Sequence, residues 1–306
     1  MDFSNDQQVA ETFENSSMEE GGNPLQRFSL RGSYEALAAR KLDEVYVLQG
    51  IALLGQATVL YAAPNTGKTL ISLALLQEAI ASGRIDAKKV FYINADDSFN
   101  GAVDKLGLTE AQRFHYLVPG HAGFRLDKLK VSMVQMIQTD TAKGTVVVLD
   151  TLKKFVDLMD KTKARDFSCL VRAFVSKGGT VLAFAHTNKN VGADGKHQYG
   201  GTSDIVDDFD CAYIMNEIPG MHTQGAKLVE FTNVKARGAV EQTVYCSYAD
   251  GADIREIANA AREGCADDER WHLSKDGTRV FLNGSVHPLP VDAQGKERGF
   301  IKIARN

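Results

Sequence analysis

No apolar run in the sequence approaches the ~18 residues that a membrane span requires. The amino terminus is acidic and polar, so no signal peptide of the usual basic-then-apolar form is expected. Cysteine is scarce. Cys169, Cys211, Cys246 and Cys265 lie far apart, without metal-site or disulfide spacing. Reduced thiols in a cytoplasmic protein are therefore expected. Positive charge is not in excess: 35 Lys and Arg stand against 39 Asp and Glu, for a net charge of −4. Without a global basic field, any contact with nucleic acid must come from a local patch. No internal repeat is apparent. A composition of 44% hydrophobic and 24% charged residues is that of an ordinary globular chain.

What the sequence does carry is concentrated between Gln56 and Thr69. An apolar, β-branched run, Thr58 to Ala62, reads as a buried strand. A tight loop follows, then Gly67-Lys68-Thr69, then an apolar helical segment. Strand, loop, Gly-Lys-Thr and helix are the context of a phosphate-binding loop. Backbone N–H groups of Ala63, Pro64, Asn65, Thr66, Gly67, Lys68, Thr69 and Leu70, proline excepted, would wrap the phosphates at a helix N-terminus. Lys68 would reach the β- and γ-phosphates of ATP, and the Thr69 hydroxyl would ligate Mg²⁺. The first glycine of the usual motif is replaced by Ala62.

The rest of the chain falls into three expected parts. Residues 1–30 read as an acidic, disordered tail, with six carboxylates and no Lys or Arg before Leu25. Tyr34 to Leu42 suits a short helix leading into the core. Residues 31–255 read as an α/β domain. Its expected strands are 58–62, 90–94, 146–150, 180–186, 211–215, 227–235 and 242–248. Helices are expected at 68–82, 100–106, 126–138 and 164–176. Short buried strands alternating with helices predict a largely parallel central sheet. The last three strands, lacking long helices between them, predict an antiparallel extension at one edge. Residues 256–306 read as a small β-rich appendix, with a short helix near 254–263. Arg279 to Leu282 is expected to feed an Asn283-Gly284 turn.

Three strand ends carry further chemistry. Thr145 to Asp150 is an apolar run ending in a carboxylate that can hold Mg²⁺. Val90 to Asn94 leads into Asp96 and Asp97. If that strand lies beside the phosphate-loop strand, Asp96 or Asp97 faces the γ-phosphate and orients the attacking water. Asp97 or Ser98 equally suits the N-cap of the following helix. Thr180 to His186 ends at the same edge, and His186 is placed to sense the γ-phosphate. The segment 189–201 holds Lys189, Lys196 and His197 among four glycines. It reads as a long, mobile, basic loop suited to the DNA backbone, or as a plain solvated loop.

Taken together these elements resemble the RecA-like ATPase core, in the branch of hexameric replicative helicases of the plasmid RepA type. The likeness spans about Val47 to Ala249. It rests on Ala62–Thr69, Asp96-Asp97, Leu149-Asp150-Thr151-Leu152 and His186-Thr-Asn-Lys189. Gly200-Gly-Thr-Ser-Asp204 with Val206-Asp-Asp208, and Asn233-Val-Lys-Ala-Arg-Gly238, complete it. In such proteins the carboxylate after the second strand is usually Glu; here it is the shorter Asp96. The resemblance implies that Lys235 and Arg237 reach into a neighbouring subunit's nucleotide site. Without the resemblance, the same pair reads equally well as cations solubilising an edge strand. It further implies a DNA-stimulated Mg-ATPase, a ring-forming homo-oligomer (a hexamer) that engages single-stranded DNA in replication of a plasmid, phage or mobile element. A recombination or repair ATPase, and an ATP-binding regulator with little turnover, are the alternatives. No primase or zinc-binding region is visible.

Overall fold

A computed structural model describes residues 23–157, 160–191, 197–199, 208–218, 226–249, 266–273, 279–288 and 300–305. The chain divides after Lys41 into two units. The described part of the first holds a 3₁₀ turn, Pro24–Phe28, whose Asn23 side chain accepts from the N–H of Leu25. A single helical turn, α1 (Tyr34–Ala38), follows, and none of its residues is buried.

The second unit opens with a two-stranded ribbon, β1 (Tyr46–Leu48) and β2 (Ala52–Leu53), which the sequence reading had not separated. An α/β alternation then begins: β3 (Ala57–Ala62), α2 (Lys68–Ala81), β4 (Val90–Asn94), α3 (Phe99–Gln112), β5 (His115–Leu117) and α4 (Leu126–Gln138). It continues with β6 (Val146–Asp150), α5 (Lys161–Ser176), β7 (Thr180–Val191), β8 (His197–Tyr199) and β9 (Cys211–Glu217). Three strands run parallel beside β3 in the order β7, β6, β4, with β5 beyond; β9 flanks it parallel on the other side. Their carboxyl ends therefore share one edge. Alternate residues of β3 feed two cores. Leu60 and Ala62 pack with Leu73, Leu76 and Leu108 of α2 and α3. Val59 and Tyr61 pack with Met133, Phe167 and Phe174 of α4 and α5. Period-two alternation between two apolar faces is what a sheet sandwiched by helices demands.

Beyond β9 the sheet turns antiparallel. β10 (Ala226–Lys235) pairs with β9 on one side and β11 (Thr243–Ala249) on the other. Lys235 therefore lies on an interior strand, which removes the edge-strand explanation of its charge. β11 pairs in turn with β14 (Phe300–Arg305), β14 with β13 (Arg279–Pro288) and β13 with β12 (Ala266–Leu273). Asn283-Gly284 is not a turn: it lies inside β13, with Gly284 opposite Asp268 and Ala304. Pairing on both sides overrides a local turn preference. The segment expected as a loop at 189–201 is partly strand. β7 runs on to Val191 and pairs antiparallel with β8, Thr187 opposite Tyr199 and Val191 opposite His197. The helix expected near 254–263 lies outside the described residues, as do 192–196 and 200–207.

Candidate functional site

At the carboxyl edge of β3 the chain leaves the sheet through Ala63 to Gly67. Ala62 is still within the strand, opposite His186 of β7 and Met215 of β9. Extended backbone accepts a Cβ, so alanine serves where the usual motif has glycine. The loop then needs two left-handed residues. Asn65 supplies one at φ 64° and Gly67 the other at φ 80°. The Thr66 hydroxyl donates to the carbonyl of Ala63 at 2.7 Å, closing the turn on itself. A Cβ on Gly67 would stand 2.7 Å from the ring of Tyr248 on β11, so glycine is required twice over. The N-terminus of α2 begins at the next residue.

The loop borders a cleft of about 500 Å³, lined also by Asp96, Asp97, Gly101, Asp104, Lys105, Asp150, Thr151 and His186. Lys68 is buried at 8% exposure and donates to the carbonyl of Ala185 at 3.0 Å. Burial pulls its pKa down to about 8, against the attraction of Asp150 and Asp96. The Thr69 hydroxyl donates to Asp150 Oδ2 at 3.3 Å. A hydroxyl and a carboxylate so close form the hard oxygen donor set that suits Mg²⁺. Thr69 and Asp150 would hold it, and its charge would neutralise the phosphate oxygens. Asp150 belongs to β6, which is separated from β3 by β7.

β4 is not the neighbour of β3. Two strands, β7 and β6, stand between them. Asp96 reaches the cleft all the same, because the turn after β4 bends over the end of β6. Asn94 makes that bend, accepting from the N–H groups of Asp96 and Asp97 at 3.0 and 3.1 Å. Asp96 takes a salt bridge from Lys154 at 3.2 Å and a hydrogen bond from the Thr151 hydroxyl at 3.4 Å. Partial burial opposes its charge, yet Lys154, with Lys153 and His186 behind, outweighs burial and holds the carboxyl below its ordinary value. Ser98, not Asp97, caps α3, accepting from Gly101 at 3.4 Å. Asp97 turns instead to Lys105. His186 is the last residue of β7 paired with β3. Burial first, then Lys68 and Lys153, lower its pKa, so the ring is neutral at pH 7. Its Nδ1 is buried with no hydrogen-bond partner among the described residues.

Lys105 and Tyr92 are among the residues of the site that escaped the sequence reading. Lys105 of α3 is 5% exposed; its Nζ lies 2.6 Å from Asp97 Oδ2 and 3.5 Å from Asp150 Oδ2. Tyr92 of β4 donates to the same Asp150 oxygen at 2.5 Å. Helical phase was the available signal for Lys105. It lies on the same face as Leu108 and Thr109, which are buried with it.

Lys235 and Arg237 lie elsewhere. Lys235 is opposite Ala212 of β9, which is opposite Val59 near the start of β3. Arg237 pairs with Asp210 at 3.2 Å, and the N–H of Asp210 bonds to the carbonyl of Ala57. Both are therefore at the far end of the sheet from their own phosphate loop.

A RecA-like parallel sheet, a phosphate loop and a carboxylate two strands away at the same sheet edge define a P-loop ATPase. The family described as AAA domain matches residues 31–192, just over half of the chain, and the chain belongs to that family. No curated protein matches it. Among the described residues, no helix is long and apolar enough to cross a membrane, and no three His, Cys, Asp or Glu side chains cluster as a metal site.

Proposed function

We propose that the protein is a Mg-ATP-dependent, DNA-stimulated ATPase that works as a ring helicase in replication of a plasmid, phage or mobile element. One observation carries the ring reading. Lys235 and Arg237 lie at the opposite end of the sheet from their own Lys68, yet 55% of the Arg237 side chain is exposed. A cation so placed has no route to its own γ-phosphate but is open to a second subunit. In a homo-oligomer, a hexamer in this proposal, each nucleotide would lie between one subunit's phosphate loop and the next subunit's Lys235 and Arg237. Lys68 would bind the phosphates, Asp96 would orient water, His186 would sense the γ-phosphate, and the trans cations would stabilise transition-state charge. The 189–201 segment would carry single-stranded DNA.

Subunit mixing tests it. Arg237→Ala should bind ATP nearly normally and hydrolyse it about a thousandfold more slowly. Lys68→Ala should not bind ATP. Mixed oligomers of the two should regain partial activity, because some interfaces pair an intact loop with an intact finger. Mixtures as dead as either variant, in oligomers shown to contain both, would refute the trans assignment. Single-stranded DNA should stimulate hydrolysis, and a forked duplex should be unwound; strand exchange in place of unwinding would mark a recombination or repair ATPase.

A second reading has its own support. Asp96 is short, and Lys154 and Thr151 occupy its carboxylate. A carboxylate held below its ordinary pKa is a weak base. An ATP-binding regulator with little turnover would show ATP affinity but no hydrolysis with DNA.

A further inference from the structure

The ammonium of Lys105 is the unexplained charge of the cleft. It is buried on α3, 2.6 Å from Asp97 and 3.5 Å from Asp150, with its Nζ 5.8 Å from the centre of the Tyr92 ring. Asp150 is itself nearly buried, and a buried carboxylate needs a counter-charge. Lys105 approaches the same Oδ2 that accepts from Thr69 and Tyr92. That is the oxygen assigned above to the divalent cation. Asp97 offers Lys105 a second, closer partner, steadied by a hydrogen bond from Asn94 at 2.8 Å.

Building on the Mg-ATP reading of this cleft, we infer that Lys105 is a built-in stand-in for the metal. It compensates Asp150 before nucleotide binds and withdraws fully to Asp97 when metal-bound nucleotide arrives. Like charges close together in a poorly solvated site repel strongly. Lys105 thus disfavours divalent metal binding alone, so that metal enters with ATP. It also lets the cleft accept ATP without metal, since Asp150 already has a counter-charge facing the phosphates. Lys105 is a positioning residue in this scheme: it acts through Asp150 and Asp97.

Three affinities test this on the full chain: Mn²⁺ alone by electron paramagnetic resonance, ATP in chelator and Mg-ATP by calorimetry. Lys105→Met should bind Mn²⁺ alone at least tenfold more tightly and metal-free ATP at least tenfold more weakly, with Mg-ATP affinity moving least. Lys105→Arg should keep all three near wild type. A merely structural role would lower all three together, and that result, or no change in any, overturns the inference. Asp97→Asn carries the test if Lys105→Met does not fold. Lys105 would then turn to Asp150 alone, and Mn²⁺ affinity should fall while metal-free ATP binding persists. Equal loss of both overturns the inference. Wild type that binds no ATP under any condition would overturn the nucleotide reading, and this inference with it. Wild type that binds Mg-ATP normally, with variants lacking the crossed pattern, overturns the inference alone.

Discussion

Replacing Lys68 by methionine should make the protein more stable while abolishing ATP binding. Burial lowers the Lys68 pKa from 10.5 to about 8. That displacement measures a cost of about 3 kcal/mol for keeping the ammonium charged at neutral pH in the folded chain. Methionine fills nearly the same space without charge. Against this, the charge-assisted bond to the carbonyl of Ala185 is lost, which returns about 1.5–3 kcal/mol. The net gain is about 0–1.5 kcal/mol, or up to roughly 2 °C in melting temperature for a chain of this size. The sign with pH is fixed. The folded pKa lies below the unfolded one, so the cost is fully present below about pH 8 and fades as pH rises towards 10.5. Thermal unfolding without nucleotide, followed by circular dichroism near pH 7 and again near pH 9.5, should show the advantage of Lys68→Met shrink by more than half. ATP at a hundred times its Kd should raise wild-type stability by about 2.7 kcal/mol and leave the variant unmoved. A Lys68→Met protein less stable than wild type at pH 7 would refute this account of Lys68 burial.

Gly67→Ala should lose both affinity and stability. Its Cβ would meet the Tyr248 ring at 2.7 Å on a backbone at φ 80°. The strained conformation alone costs roughly 1–2 kcal/mol, and ATP affinity measured by calorimetry should fall at least about tenfold. An affinity unchanged from wild type would show that the loop does not need this conformation. Asp96→Asn should keep ATP affinity within about threefold and reduce single-turnover hydrolysis by about a hundredfold or more. A smaller loss would remove Asp96 from the chemistry.

The phosphate loop and its helix were legible because strand, turn and helix each announce themselves locally. So were the boundaries of β4, β6 and α4, which match their expected spans residue for residue. What local pattern cannot give is strand order. Asp96 was read as facing the γ-phosphate on the condition that its strand lay beside β3; it reaches the cleft although its strand lies two strands further away. The turn that carries it depends on Asn94 accepting two backbone N–H groups, a feature that looks like an ordinary strand-end residue in the sequence. Lys105 was hidden for another reason. A lysine on an amphipathic helix is normally solvated, and only the arrival of Asp97 and Asp150 on one side of α3 makes its burial tolerable. Asn283-Gly284 misled in the opposite direction: its turn chemistry is strong, but strands paired on both flanks decide the backbone.

The far end of the sheet bears on how readily Arg237 can serve a neighbour. Asp210 is buried there, its side chain 7% exposed, and it accepts from three donors: Arg172 at 2.7 Å, the N–H of Ala57 at 3.0 Å, and Arg237 at 3.2 Å. Arg237 is the longest and most exposed of these contacts. An ion pair with one partner so open to water contributes about 0–1 kcal/mol. If Arg237 leaves, Asp210 keeps a guanidinium and a backbone N–H, so no buried charge is stranded. In the proposed ring, releasing Arg237 to another subunit's γ-phosphate would therefore cost little. A phosphate in a poorly solvated interface repays far more, because charge-assisted bonds to Arg are strong where water is excluded. The same arithmetic explains why Arg237→Ala should fold normally: the variant loses the weakest of three contacts to Asp210, so a failure to hydrolyse ATP can be read as chemistry and not as unfolding.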